Sequence, residues 1–544
     1  MKKNIAHTVE RLRERAKERQ NHWVSREAAG VRPVDRFVLK VLVAAGILGM
    51  LKFADWWFRA EHVGNPVLFF LLSLAFWWGM LRLTLVWVAL LRIRKAPPAP
   101  VPPDGLRVAI FTTSSPGEPP EMFEKTLAAC ARIAYPHTTY LLDDTRDPVM
   151  REIAERNGAV WTELVGYPGA KAGKINEALK RTTEDFILIL DPDHIPFPQF
   201  LHQTLGYFQD EKTGFVQVSQ AYYNQYRSFT AAGAAEQTYS FYGPTQMMLH
   251  GLGSAVAIGA NCTFRRAALE SIGGHGIGLA EDLITSIRLH AAGWESVYNP
   301  VVVSRGLVPE DLGSFCKQQL KWARGLFEVA FSELPRLWRR LRFWQKLSYF
   351  TISTYYLTGV TMLIFILLPF LFFATGALPA QMRIVEFIFY GTPVLVLGAA
   401  IYFYCQRWLC HPQTERGLHW RGMVLKMACT PVFALGFFLS LANADVPYFP
   451  TAKKAVRGYF TPFARPLVLY AALYLVVVTV ILLHRAYFMP PDELVFTAER
   501  TWGMIGFAFI TWLLSGGGIF AAIEAKRLKA EDPWDGVELE ELNG

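Results

Sequence analysis

Residues 185–193 read DFILILDPD. A short apolar run bounded by acidic residues reads as a strand, here expected over 185–191. It ends on two carboxylates one residue apart, Asp191 and Asp193. Carboxylates so placed at a strand end can hold a nucleotide and a hard divalent cation together, and oxygen ligands favour Mg2+ or Mn2+. Alone, the pair is a weak signal and more often a solvated turn. Upstream, further strands are expected over 107–113 and 138–144, and another downstream over 214–220. Helices are expected over 123–133, 148–157 and 174–181. Strand–helix alternation of this kind predicts a mostly parallel sheet covered by helices, which binds ligands beyond the carboxyl ends of its strands. A second acidic pair, Asp143–Asp144, falls at such an end.

Outward from this α/β region the character changes. The chain has 544 residues, 52% of them hydrophobic, and a net charge of +9. The apolar residues gather in runs at 37–57, 67–91, 347–373, 385–404, 467–483 and 502–523. Each is about long enough to cross a hydrocarbon core, which takes roughly 20 helical residues. A shorter run at 431–441 reads as interfacial or re-entrant. The stretch 407–426, basic and amphipathic with Trp408, Trp420 and Met423, suits a helix lying in the interface. Basic clusters at 2–19, 92–95 and 526–529 flank apolar runs, as expected of cytoplasmic ends facing anionic headgroups. No basic face interleaved with aromatics points to nucleic acid. The six cysteines form no CxxC pair and have no zinc spacing with histidines, so buried free thiols are expected. A polar, charged arm precedes the first apolar run, unlike a cleavable signal. The linker APPAPVPPDG at 96–105 is a stiff spacer and marks a boundary.

Transfer of a sugar from a nucleoside diphosphate needs a neutralised leaving group, an oriented donor and a base for the acceptor hydroxyl. Beside the two acidic pairs stands KAGK at 171–174, whose lysines could contact a nucleotide, with glycine allowing close backbone approach. Glu281–Asp282 opens an expected helix, where acidic residues also favour the helix dipole. QQLKWARG at 318–325 offers amides, cations and an aromatic face for a sugar ring.

In order and spacing these motifs resemble the processive family-two glycosyltransferases of the cellulose synthase superfamily, bacterial cellulose synthase-like or β-1,3-glucan (curdlan) synthase-like. That family carries D, DxD, (T/S)ED and Q(Q/R)xRW in this order. Here they read Asp143–Asp144, Asp191-Pro-Asp193, Ala280-Glu281-Asp282 and Gln318-Gln319-Leu320-Lys321-Trp322. The words AKAGKINEAL, DPDHIP, RRAALESIGG and KWARG also look like bacterial cellulose synthase. Tyr448-Phe449-Pro450-Thr451-Ala452-Lys453 is similar to the gating-loop pattern FxVTxK. The resemblance implies that Asp143, Asp144, Lys171 and Asp191 contact the nucleotide donor, and that Asp193 binds the metal, Mg2+ or Mn2+. It implies Asp282 as the base. Gln318, Gln319 and Lys321 would meet acceptor and diphosphate, and Trp322 would stack on the acceptor sugar. Thr451 and Lys453 would sit on a mobile loop closing over bound donor. Lys321 departs from the motif's arginine, losing a planar bidentate donor but keeping the charge. Ala280 replaces Thr or Ser, and Tyr448 and Pro450 replace Phe and Val. Only about 20 residues follow the last apolar run, so no C-terminal cyclic-dinucleotide-binding domain is expected within this sequence.

The expected architecture is a GT-A-like α/β nucleotide-sugar glycosyltransferase domain inserted between transmembrane helices, with about six spans plus interfacial helices. Its parts are a basic cytoplasmic arm (1–36), two spans (37–95), the linker (96–105), the transferase domain (106–334) and an interfacial segment (335–346). Two spans (347–405), interfacial helices with the gating-like loop (406–463), two more spans (464–524) and a cytoplasmic tail (525–544) complete it. The expected function is processive, inverting polymerisation of a β-glucan from UDP-glucose, with export of the growing polysaccharide across a bacterial inner membrane. The transferase domain and both termini would be cytoplasmic. The partners would be a UDP-sugar, the polymer and the lipid bilayer. Alternatives are a β-1,3-glucan, a mixed-linkage glucan or an amino-sugar polymer, a non-processive membrane transferase, or a transporter carrying a degenerate soluble domain.

Overall fold

A computed structural model describes residues 27–444 continuously and scattered positions from 465 to 525. Eight strands build one sheet: β1 (Val108–Thr113), β2 (Thr138–Asp143), β3 (Val160–Glu163), β4 (Phe186–Leu190), β5 (Ile195–Pro196), β6 (Thr213–Tyr222), β7 (Cys262–Arg265) and β8 (Glu295–Gly306). Their order across the sheet is β3-β2-β1-β4-β7-β6-β8-β5. The apolar run of the opening motif is β4, near the middle. Its period-two geometry sends Phe186, Leu188 and Leu190 to one face, against Ile110, Val216 and Phe200. Ile187 and Ile189 go to the other, against Phe111, Phe215 and Ile175. Both faces are apolar because both are covered. Burial of each such side chain is worth roughly 1.5–3 kcal/mol.

β3, β2, β1 and β4 are parallel neighbours. β7 runs antiparallel to both β4 and β6, β8 is parallel to β6, and β5 is antiparallel to β8. The sheet is mostly parallel, as expected, with β7 and β5 alone reversed. β7 is only four residues long, too short for its alternation to register in the sequence. In β8, Pro300 cannot donate to the ladder, and the pairing with β6 skips from Asn299 to Val302. The reversal of β7 brings its N-terminal approach, Gly259 to Asn261, to the edge where β1, β2 and β4 end.

Among the described residues, four helices are long and apolar enough to cross a membrane: Pro33–Trp57, Pro66–Leu90, Tyr355–Thr375 and Ile384–Trp408. Proline occupies the first turn of the first two, where its missing N–H costs nothing, and Asn65 caps the second by accepting from Val67 N at 3.1 Å. The run expected over 347–373 is divided. Phe343–Ser353 is a separate helix that ends at Thr354, and the long apolar helix begins at Tyr355. The single interfacial helix expected over 407–426 is also divided, into Pro412–Glu415 and Trp420–Ala428, interrupted by Pro412 and by His419 at φ +49°. Trp420–Ala428 meets Thr430–Leu441 at a 49° bend, the shape of a broken span or a re-entrant pair. The last two apolar runs, the gating-like loop with Thr451 and Lys453, and the basic arm lie largely or wholly outside the described residues. Within the last run, Gly517–Ala525 is helical, and Glu524 accepts from Phe229 N at 2.7 Å.

Candidate active site

The site forms where β1, β2 and β4 end. β2 closes on Asp143, which is fully buried. Its carboxylate accepts from Ser114 Oγ, from Thr145 N at 3.0 Å and Oγ1 at 2.8 Å, and from Trp161 Nε1 at 3.0 Å. Asp143 thus pins the β1 and β2 ends together. Asp144 turns outward, accepting from Gly166 N at 2.9 Å and facing Lys174 Nζ at 3.4 Å.

The KAGK lysines lie inside helix Ala170–Arg181, Lys171 in its first turn and Lys174 in its second, not in the lead-in to it. Gly173 is explained by packing: a Cβ there would lie 2.0 Å from the Pro168 carbonyl oxygen. Lys174 is buried and donates to Ser114 O at 2.5 Å; desolvation lowers its pKa, opposed by Asp144. Lys171 pairs with Asp191 and donates to Gly259 O at 2.5 Å, joining the first turn of this helix to the end of β4 and the approach to β7.

The DPD turn is fixed from several sides. Thr126 Oγ1 donates to Pro192 O at 2.6 Å, and His194 N donates to Asp191 O at 3.0 Å. Donor atoms of Asp191, Asp193 and His194 lie within 4.8 Å of one another, the one such group among the described residues. His194 Nδ1 lies 3.1 Å from Asp193 Oδ1, while its Nε2 is buried with no hydrogen-bond partner. The ring is seated by Gly306, where a Cβ would come within 2.4 Å of it. Two hard carboxylates beside the His194 imidazole suit a divalent cation of the Mg2+ or Mn2+ type. His194 was not among the expected site residues, although its place directly after DPD was the available signal.

Asp282 is the second residue of helix Glu281–Ala291, and its Oδ1 accepts from Leu283 N at 2.7 Å. It is half-buried. Its other oxygen faces Gly259, where a Cβ would sit 3.7 Å from Oδ2. Gly259 thus lies between Asp282 and the Lys171–Asp191 pair. Desolvation first, and the Glu281 carboxylate second, push Asp282 up to about 7; the charges of Lys321 and Lys171 oppose the rise.

The QQLKW segment lies on helix Leu312–Glu328, capped by Asp311, which accepts from Ser314 N at 2.9 Å. Its Gly325 packs directly on Ala280, since a Cβ there would lie 2.8 Å from both the Ala280 nitrogen and its Cβ. The small residue where the family has Thr or Ser thus meets a glycine, and the two helices approach closely at Asp282. Lys321 and Gln318 are half-buried, and Trp322 is 39% exposed. Gln319 turns inward and accepts from Tyr356 Oη at 3.2 Å, linking this helix to the start of an apolar span. The structure therefore gathers Lys171, Asp191, Asp193 and Asp282 at one strand edge, brings Lys321 within electrostatic reach of Asp282, and turns Asp143 and Gln319 to internal partners.

Comparison with known proteins finds related sequences over this region. A glycosyltransferase-like family 2 model matches residues 108–325, and a cellulose synthase model matches residues 271–401. Over these residues the chain is similar to the family-two glycosyltransferases and to the cellulose synthases. Among its relatives, the cellulose synthase catalytic subunit [UDP-forming] of Komagataeibacter sucrofermentans is 33% identical over 44% of this chain and 32% of that one. The protein of the same description from Xanthomonas axonopodis pv. citri is 28% identical over 57% of this chain and 45% of that one. The chain thus spans a third to a half of the length of these curated relatives. A mannosyltransferase from Pyrobaculum calidifontis, solved with GDP-Man and Mn2+, aligns at 18% identity over 70% of this chain and 99% of that one, with a TM-score of 0.47. That likeness is too loose to carry chemistry across.

Proposed function

We propose that the chain is a membrane-embedded, processive, inverting glycosyltransferase that polymerises a β-glucan from UDP-glucose and passes it across the bilayer. The observation that carries this reading is the convergence at Asp282. A half-buried carboxylate held up to about 7 faces the Lys171–Asp191 pair across Gly259 and feels the charge of Lys321. A base near neutrality is matched to proton abstraction from a sugar hydroxyl. Asp282 takes the acceptor proton as the acceptor oxygen bonds to the anomeric carbon. The bond from that carbon to the diphosphate breaks on the opposite face, so an α-linked donor gives a β-linkage. Lys321 and Lys171 supply positive charge near the departing diphosphate. A divalent cation held by Asp191, Asp193 and His194 would neutralise the leaving group. Trp322 offers an exposed aromatic face to the acceptor sugar, with Gln318 beside it.

Four apolar helices and the Gln319–Tyr356 bond support a site seated against a membrane. A hydroxyl-rich polymer cannot cross hydrocarbon with its polar groups unpaired, so synthesis and passage belong together in this reading. The proposed location is a bacterial inner membrane with the transferase domain cytoplasmic, the domain boundaries following those read from the sequence. The test is incorporation of labelled sugar by the purified full-length chain in lipid with Mg2+ or Mn2+. A polymer whose linkage analysis gives β-glucose supports the reading; a single added sugar, or an amino-sugar product, replaces it.

A further inference from the structure

Away from the transferase site, an open cavity of about 780 Å3 lies beneath the segment that leads into the third apolar span. Leu334 and Phe350 form its floor, and Arg336, Arg339, Arg340 and Trp338 its rim. Phe350 packs edge-on against Trp78 of the apolar helix Pro66–Leu90, with ring centroids 6.0 Å apart, so the floor abuts a membrane-spanning candidate. From Leu334 to Lys346 the chain carries five cations and no carboxylate. Arg336 is paired with Glu333 at 2.7 Å, Arg342 approaches Glu295 at 3.7 Å, and Lys346 sits 5.4 Å above the Trp338 ring. Arg339 and Arg340 are exposed and have no carboxylate partner among the described residues. Trp338 is 43% exposed.

We propose that this cavity binds the headgroup of an anionic phospholipid. Arg339 and Arg340 take the phosphodiester, Trp338 lies at headgroup depth, and an acyl chain runs over Leu334 and Phe350. Unpaired guanidinium groups beside an apolar floor match one phosphate attached to hydrocarbon, and basic pockets between spans take such headgroups. An indole is suited to the interface, with an apolar body and a polar edge. The site also reaches the transferase. Glu333 is buried between Arg336 on the rim and Arg288, at 2.7 Å from each, and Arg288 belongs to the helix that Asp282 opens. A phosphate drawing on Arg336 would alter its hold on Glu333, and so the seating of that helix. The proposal rests on the membrane embedding proposed above.

The test uses the full-length chain in nanodiscs of phosphatidylcholine, with and without phosphatidylglycerol, and no nucleotide sugar. A photoreactive phosphatidylglycerol labels the protein, and the labelled peptides are mapped by mass spectrometry. The expected label falls within 330–350, is not matched by an equivalent phosphatidylcholine probe, and persists in excess inorganic phosphate. The double variant R339Q/R340Q weakens it by about twenty-five-fold, taking each cation near the surface as worth about fivefold, and R339K/R340K retains most of it. Equal labelling by both lipids, or an unchanged signal in R339Q/R340Q, overturns the proposal. Loss of label to inorganic phosphate overturns it in favour of a soluble-anion site. Failure of the embedding itself is read separately, as absence of acyl-chain labelling on the apolar spans in either lipid.

Discussion

Asp282→Asn should cut transfer steeply and yet stabilise the fold, with a pH dependence that identifies the cause. An ordinary aspartate ionises near 3.8, whereas Asp282 is held up to about 7 by desolvation and by Glu281. Because the folded state resists ionisation, its stability is undiminished below about pH 4. It falls as pH rises towards 7, while the unfolded chain ionises and the folded one does not, and is constant above that. The full difference corresponds to roughly 4 kcal/mol. Partial exposure and relaxation of Lys171 and Lys321 reduce it to about 1–3 kcal/mol. Asparagine keeps the acceptor for Leu283 N and removes the charge. The detergent-solubilised variant should then match the parent near pH 4 and melt a few degrees higher at pH 8, at about 2–4 °C per kcal/mol for a domain of this size. Transfer should fall by about 10²–10⁴, the usual contribution of a positioned base. Thermal unfolding followed by tryptophan fluorescence, from pH 4 to 8, measures the first effect, and labelled-sugar incorporation measures the second. A variant equally or less stable at every pH, or a gain that does not grow between pH 4 and 7, refutes the assignment of a strained, ionised Asp282.

In the parent, transfer should rise with pH as Asp282 ionises around 7, and a pH–rate profile flat from 5 to 9 would contradict that. Gly325→Ala puts a methyl 2.8 Å from the backbone of Ala280 and should displace the start of the Asp282 helix. The expected cost is about 1–3 kcal/mol of stability, with a fall in kcat exceeding any change in donor KM. Chelation by EDTA should stop transfer and Mg2+ or Mn2+ restore it, and His194→Ala should raise the metal concentration needed by about 10–100-fold. Tyr356→Phe removes the bond to buried Gln319 and should cost about 0.5–1.5 kcal/mol in thermal unfolding, with shortened products on a sizing column.

The run 185–193 identified the central strand, because five apolar residues ending in acidic ones have few other stable uses. The gathering of Lys171, Asp191 and Asp282 could not be read from spacing, since it depends on Gly259 arriving along the reversed β7, a strand four residues long. The resemblance implies that Asp143 contacts the nucleotide, and only the tertiary structure reveals the four hydrogen bonds it accepts. Gln319 is similar: helical periodicity alone does not tell the face towards the acceptor from the one towards Tyr356. The apolar helices were legible to within a turn at most ends. The break at Thr354 was not, because nearby Tyr355, Tyr356 and Leu357 continue the apolar pattern through a 3-10 turn.

The central claim is that one chain both transfers the sugar and extends a polymer. Its most direct test is incubation of the purified full-length protein, in lipid with Mg2+ or Mn2+, with radiolabelled UDP-glucose, followed by sizing of the product and linkage analysis. The account predicts label in high-molecular-weight material with β-glucosyl linkages, and steeply less from Asp282→Asn. Label confined to a single-sugar product, or polymer made undiminished by Asp282→Asn, would contradict it.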